Sequence, residues 1–131
     1  MADTHDITLE LLDPVFSVCK VQTYTGIDIS APYVFTGSTD EEKSLVCPVQ
    51  MVPEDTLARD DGWKGFRIVG ILDFSLIGIL AGIADVLKQN SISIFALSTY
   101  NTDYILVKEE YFAQAIIALK EHGYAVKGVT Q

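Results

Sequence analysis

The chain of 131 residues is long enough for one domain or two very small ones, and 49% of its residues are hydrophobic, which is sufficient for a buried core. Its 18 acidic residues outnumber the 9 basic ones, for a formal net charge of -9. This charge argues against nucleic-acid binding, because an acidic surface repels the phosphate backbone.

The first half of the sequence predicts short strands. Residues 7–11 and 16–21 are predicted strands separated by an Asp-Pro turn, and residues 33–36 and 44–46 are predicted to form a hairpin. The acidic, glycine-containing segment 54–62 is predicted to connect this half to the next.

The second half predicts alternating strands and helices. Residues 64–69 alternate as a strand, Ser75 is the predicted N-cap of a helix that ends near Asn90, and residues 91–97 form a second strand. A polar turn then leads into a strand at residues 104–107.

A second helix with an apolar stripe follows, with acidic residues in its first turn and Gly123 as its C-cap, and the last strand covers residues 124–126. The order over residues 64–128 is βαββαβ. It predicts an α+β, ferredoxin-like unit, in which a four-stranded antiparallel sheet carries two helices on one face.

A short echo between the halves suggests an internal repeat. Ser38-Thr39 and Ser98-Thr99 each lie in a predicted turn that leads into a strand. Residues 1–62 are therefore interpreted as a degenerate first copy of the unit and residues 63–131 as the regular copy; chance similarity is the alternative.

Neither a membrane span nor a disulfide is expected. Asp73 and Asp85 interrupt the apolar stretch at residues 71–87, which is too short to cross a bilayer. Cys19 and Cys47 are predicted to be free, buried thiols, with a disulfide as the alternative, and the start of the chain lacks a signal-peptide pattern. We therefore expect a cytoplasmic protein.

The sequence carries no catalytic pattern. His5 and His122 have no partner at nucleophile or metal spacing, and the usual hydrolase, zinc and nucleotide motifs are absent from the sequence. We expect no catalytic residues, no metal and no cofactor.

Two polar loops are the candidate binding features. The loop before the first helix offers the free N–H groups of residues 75–78, which suit a carboxylate or phosphate. Asp73, or Asp103 in the turn between the middle strands, would then neutralise an ammonium group. In the alternative interpretation, Asp73 and Ser75 only cap the helix, and Ser98, Asn101 and Asp103 only stabilise the turn.

Two segments, residues 72–81 (LDFSLIGILA) and 92–107 (ISIFALSTYNTDYILV), resemble the ACT domain of the aspartate-kinase and CASTOR class, in particular small bacterial proteins with two such units. The resemblance implies a ferredoxin-like ACT domain at residues 63–131, preceded by a divergent ACT-like unit at residues 1–62. It also implies amino-acid effectors held between a strand-to-helix loop and the strand edge of a neighbouring unit.

Carried over by motif, the ligand contacts implied by the resemblance are Gly78, Thr99, Tyr100, Thr102 and Asp103, although the related arginine sensors have an aromatic residue in place of Thr102. Those sensors contain four units in one chain, which implies a homodimer here. Together, the polar loops and the resemblance give these candidate ligand-binding residues: Asp73, Ser75, Leu76, Ile77, Gly78, Ser98, Thr99, Tyr100, Thr102 and Asp103.

The leading hypothesis is a non-catalytic regulatory module that binds an amino-acid effector, has no membrane or nucleic-acid partner, and forms a homodimer. The first alternative is a structural dimerisation module without a ligand. A small enzyme using Asp73, Asp103 and Tyr100 is a third hypothesis, which no nucleophile–base pair supports.

Overall fold

The computed structural model describes residues 7–69 and 78–128 and shows a mixed α+β fold. The described residues cluster into an N-terminal unit, Pro14–Trp63, and a C-terminal unit formed by the residues up to Asp13 and from Lys64 onward. The elements in chain order are β1 (Thr8–Leu11), β2 (Phe16–Val21), β3 (Phe35–Ser38), β4 (Lys43–Pro48), β5 (Ala58–Ile68), α1 (Ile79–Gln89), β6 (Phe95–Ser98), β7 (Asp103–Lys108), α2 (Glu109–Glu121) and β8 (Ala125–Gly128).

The C-terminal unit has the predicted βαββαβ order, and the ferredoxin-like fold is confirmed. Apolar residues at helical spacing bury one side of each helix, including Ile83 and Leu87 in α1 and Leu119 in α2. These side chains share one core cluster with Phe66 and Ile105 of the sheet. Packing against the sheet therefore stabilises two helices of only 11 and 13 residues, lengths at which an isolated helix is marginal.

One detail of the predicted sheet is corrected by the first strand. β1 lies between β5 and β8, antiparallel to β5 and parallel to β8, so the last strand does not pair with β5 as a four-stranded antiparallel sheet requires. The strand order in this unit is β8-β1-β5-β7-β6. Burial favours the arrangement, because β1 places Leu9 and Leu11 in the same core cluster as the helices.

The N-terminal unit also has a ferredoxin-like strand order. Its strands lie in the order β3-β4-β2-β5, and every neighbouring pair is antiparallel. Residues 22–34 and a short 3-10 helix, Val49–Met51, stand where the regular unit has its two helices. β3 and β4 confirm the predicted hairpin. No α-helix forms between β2 and β5, in agreement with the lack of helical periodicity in that part of the sequence.

The segment predicted to connect the halves is partly strand. β5 begins at Ala58, six residues earlier than predicted, and Arg59 pairs with Cys19 and Asp60 with Val18 of β2. The guanidinium of Arg59 binds the carboxylate of Asp61 at 3.0 Å. These charged side chains made the segment resemble a loop in sequence, although its backbone is paired.

The sequence analysis predicted no membrane-spanning segment. Within residues 7–69 and 78–128, no helix is both long enough and apolar enough to cross a bilayer.

Candidate functional site

The first candidate loop ends at Gly78, where α1 begins. Asp73, Ser75, Leu76 and Ile77 lie outside the described residues. Gly78 occupies the N-cap position that the sequence analysis had assigned to Ser75, and its φ of 89° is in the left-handed region that favours glycine. The amide of Gly82 donates to the carbonyl of Gly78 at 2.8 Å, which closes the first helical turn.

The start of α1 offers hydrogen-bond donors. The N–H groups of Ile79, Leu80 and Ala81 have no acceptor within the helix itself, because the carbonyls they would need lie before its first turn. Gly78 is exposed, and a Cβ added to it would meet nothing within 4 Å. An anionic group can therefore approach this end of the helix next to Gly78.

The second candidate loop is the turn between β6 and β7. The amide and the hydroxyl of Thr99 donate to the carbonyl of Thr102 at 2.9 and 3.0 Å. The hydroxyl of Ser98 donates to the Asp103 carboxylate at 2.7 Å, which fixes the direction of that carboxylate. Ser98, Thr99 and Asp103 therefore do stabilise the turn. Tyr100 takes no part in these bonds and is 98% exposed.

Thr102 joins this turn to the strand that precedes the first loop. Its side chain is 7% exposed, and its hydroxyl donates to the carbonyl of Ile68, the last residue of β5, at 2.7 Å. The chain continues from Ile68 through Val69 toward the first loop. Thr102 therefore acts as an anchor that holds the Asp103-bearing turn beside the end of β5, and its hydroxyl is engaged by the protein.

The same turn occurs in the N-terminal unit. The amide and the hydroxyl of Thr39 donate to the carbonyl of Glu42 at 2.9 and 3.3 Å, as those of Thr99 do to Thr102. Ser38 pairs with Lys43 across β3 and β4, and Ser98 pairs with Asp103 across β6 and β7. The two Ser-Thr pairs noted in the sequence therefore open turns with the same register and the same backbone bond.

A buried polar cluster in the N-terminal unit was not anticipated. The hydroxyl of Ser17, which is fully buried, donates to the carboxylate of Asp61 at 2.6 Å and lies 3.3 Å from the sulfur of Cys19. Cys19 and Cys47 are both free and buried, as predicted. The sequence pattern of these strands shows mainly alternating apolar residues and gave no sign of this cluster. Ser17 meets Asp61 only because β2 pairs with β5.

Burial makes the Cys47 thiol unreactive. Desolvation, followed by the nearby thiol of Cys19, raises the pKa of Cys47 to about 11. A thiol with such a pKa stays protonated near neutral pH, and the thiolate is the reactive form. Among the described residues, no group of three or more His, Cys, Asp or Glu side chains could hold a metal ion.

Part of the chain matches a known family model. Residues 58–121 fit the family model of the ACT domain. No curated protein sequence matches this chain significantly.

Solved structures share the fold over nearly the whole chain. A protein from Agobacterium tumefaciens has 26% sequence identity and a TM-score of 0.84, and the match covers 95% of each chain. A protein of unknown function from Vibrio cholerae, described as a possible transport protein, has 20% identity and a TM-score of 0.72 over 92% of each chain. The regulatory subunit of aspartate kinase from Thermus thermophilus has 10% identity and a TM-score of 0.59, over 87% of this chain and 95% of the other.

Proposed function

Because residues 58–121 match the family model of the ACT domain, we propose that this chain is a non-catalytic regulatory module that binds an amino acid in its C-terminal unit. The fold shared with the regulatory subunit of aspartate kinase supports a regulatory role. A fold alone does not specify a ligand, so the proposal also depends on the chemistry of the two loops.

The hydrogen bond from Thr102 to the carbonyl of Ile68 is the observation that carries this proposal. It holds the turn bearing Asp103 beside the end of the strand that leads toward the start of α1. In the proposed complex, the amides of the first helical turn bind the ligand carboxylate, and Asp103 binds its ammonium group. The open space beside Gly78 admits the ligand to the helix end.

Thermal unfolding of the full chain in the presence of each standard amino acid tests the proposal. A ligand present at about one hundred times its Kd adds roughly 2.7 kcal/mol to the free energy of unfolding. For a chain of this size the expected increase in Tm is several degrees. If no amino acid raises the Tm, the proposal fails.

Asp103→Asn is expected to weaken binding of that amino acid at least about tenfold, because the variant loses a charge-assisted bond to the ammonium group. Ser98→Ala is the control: it removes the Ser98–Asp103 hydrogen bond from the turn but keeps the carboxylate. Isothermal titration calorimetry measures both variants. Equal affinity for Asp103→Asn and Ser98→Ala would show that the carboxylate does not bind the ligand.

The outer edge of β6 supports a homodimer. Among the described strands, β6 pairs with β7 alone, so on its other side no described strand is paired with it. Light scattering is expected to give a mass of two chains, and Ala96→Asp on this edge to shift the mass toward one chain. Ala113→Asp, on the exposed face of α2, adds the same charge away from the edge and should leave the dimer intact. A single-chain mass for the unmodified protein would rule out the dimer.

The two free thiols favour a reducing compartment, which agrees with a cytoplasmic location for the proposed sensor.

A further inference from the structure

A strap formed by residues 22–34 connects β2 to β3 in the N-terminal unit and contains only turns and bends. Five partly buried side chains cover the core cluster that contains Cys19 and Cys47, and three of them belong to the strap: Tyr24, Ile27 and Val34. Beneath this cover, Cys19 is 4% exposed and Cys47 0%. The strap therefore helps to keep both thiols away from solvent.

Few hydrogen bonds hold the strap to the sheet. The hydrogen bonds inside it are local, such as that from the amide of Ile27 to the carbonyl of Tyr24 at 3.2 Å. Within residues 7–69 and 78–128, only the Tyr24 hydroxyl links the strap to the strands, by donating to the carbonyls of Gly37 and Ser44 at 3.1 and 2.9 Å. Because the local bonds can persist when the strap leaves the sheet, one side chain carries the hydrogen bonding that keeps it closed.

Tyr33, close to the end of the strap, has a strained backbone. Its φ is 65°, in the left-handed region that a residue of this size rarely adopts. Its ring packs edge-on against the buried ring of Phe16, with the two centroids 6.2 Å apart. Strain of this kind is typical of segments that change conformation.

We propose that the strap opens while the strands of the N-terminal unit stay paired, and that opening exposes Cys19 and Cys47 to modification by small disulfides. In this reaction a cysteine loses its proton to solvent and its thiolate attacks the disulfide, so that a mixed disulfide forms and one thiolate leaves. The closed strap leaves no space for the adduct, because both thiols are buried beneath it. Modification therefore holds the strap open. The proposal goes beyond the proposed function, which requires only the C-terminal unit.

The rate of thiol labelling in the full chain tests whether the strap opens by itself. The reagent is dithiobis(nitrobenzoate), an aromatic disulfide that releases a coloured thiolate, and the rate is measured in increasing concentrations of denaturant. We expect the rate to rise with denaturant much less steeply than the equilibrium constant of global unfolding, because opening exposes little surface. An equally steep dependence would show that only global unfolding exposes the thiols, and the proposal would fall.

Tyr24→Phe is expected to speed the labelling about fivefold, because the variant loses the hydrogen bonding that closes the strap. Ile83→Val is the matched control: it removes one methylene group from the core of the C-terminal unit, at a similar cost in global stability. We expect it to leave the labelling rate unchanged. Equal acceleration by the two variants, or no acceleration by Tyr24→Phe, overturns the proposal.

Incubation with glutathione disulfide tests the modification itself. Mass spectrometry is expected to find the adduct on Cys19 or Cys47, and hydrogen exchange of the modified chain to be faster in residues 22–34 but unchanged in β2 and β4. If the folded chain gains no adduct while the urea-unfolded chain does, the thiols are not accessible to small disulfides and this proposal is wrong. Faster exchange throughout β2 and β4 also overturns it, because the adduct would then unfold the unit instead of opening the strap.

Discussion

Phe66→Ala is expected to lower the free energy of unfolding by about 3–5 kcal/mol, as truncation of a large core side chain usually does. Phe66 is 1% exposed and belongs to the core cluster that joins the sheet to both helices. The loss would be a large part of the total stability, which is about 5–15 kcal/mol for most domains. Chemical denaturation followed by circular dichroism measures it.

Tyr111→Ala is the control for this truncation. Tyr111 lies on α2 with 41% of its surface exposed, so its loss should change the free energy of unfolding much less than that of Phe66. Phe66 is also two residues before Ile68, whose carbonyl anchors Thr102. If the two variants lose similar amounts of stability, the core does not depend on Phe66 as the structure implies.

Stability is also expected to fall in alkali because of Cys47. Burial raises its pKa from an ordinary value of 9.0 to about 11, so the unfolded chain releases the thiol proton at a lower pH than the folded chain. The contribution is fully present below pH 9 and is lost as the pH rises toward 11. A difference of this size corresponds to about 2–3 kcal/mol.

Cys47→Ala isolates this effect. The difference in unfolding free energy between the original chain and the variant should shrink by about 2 kcal/mol between pH 9 and pH 11. Burial also raises the pKa of Tyr124, but that contribution is common to both proteins and cancels. A difference that stays constant with pH would show that the folded chain does not protect the thiol.

Local patterns in the sequence were sufficient to predict the helices. The apolar spacing of α1 and α2, the end of α1 near Asn90 and the left-handed Gly123 after α2 were all predicted, because each depends on residues only a few positions apart. Strand pairing depends on contacts distant in sequence. The pairing of Leu9 with both Ile68 and Val126 therefore could not be predicted from a four-residue strand.

The candidate site was predictable only in part. The pattern identified the polar residues of the turn between β6 and β7, but it could not show that the hydroxyl of Thr102 reaches the carbonyl of Ile68, which is 34 residues away.

The position of β1 limits how the protein can be shortened. A fragment cut to residues 58–121, the extent of the family match, would lack both β1 and β8. The backbone of β5 at Phe66–Ile68 would then lose its hydrogen-bonded neighbour on one side. Such a bare edge recruits strands from other molecules, so the fragment would aggregate instead of folding independently. Expression of this domain for binding studies thus requires the residues at the beginning of the chain.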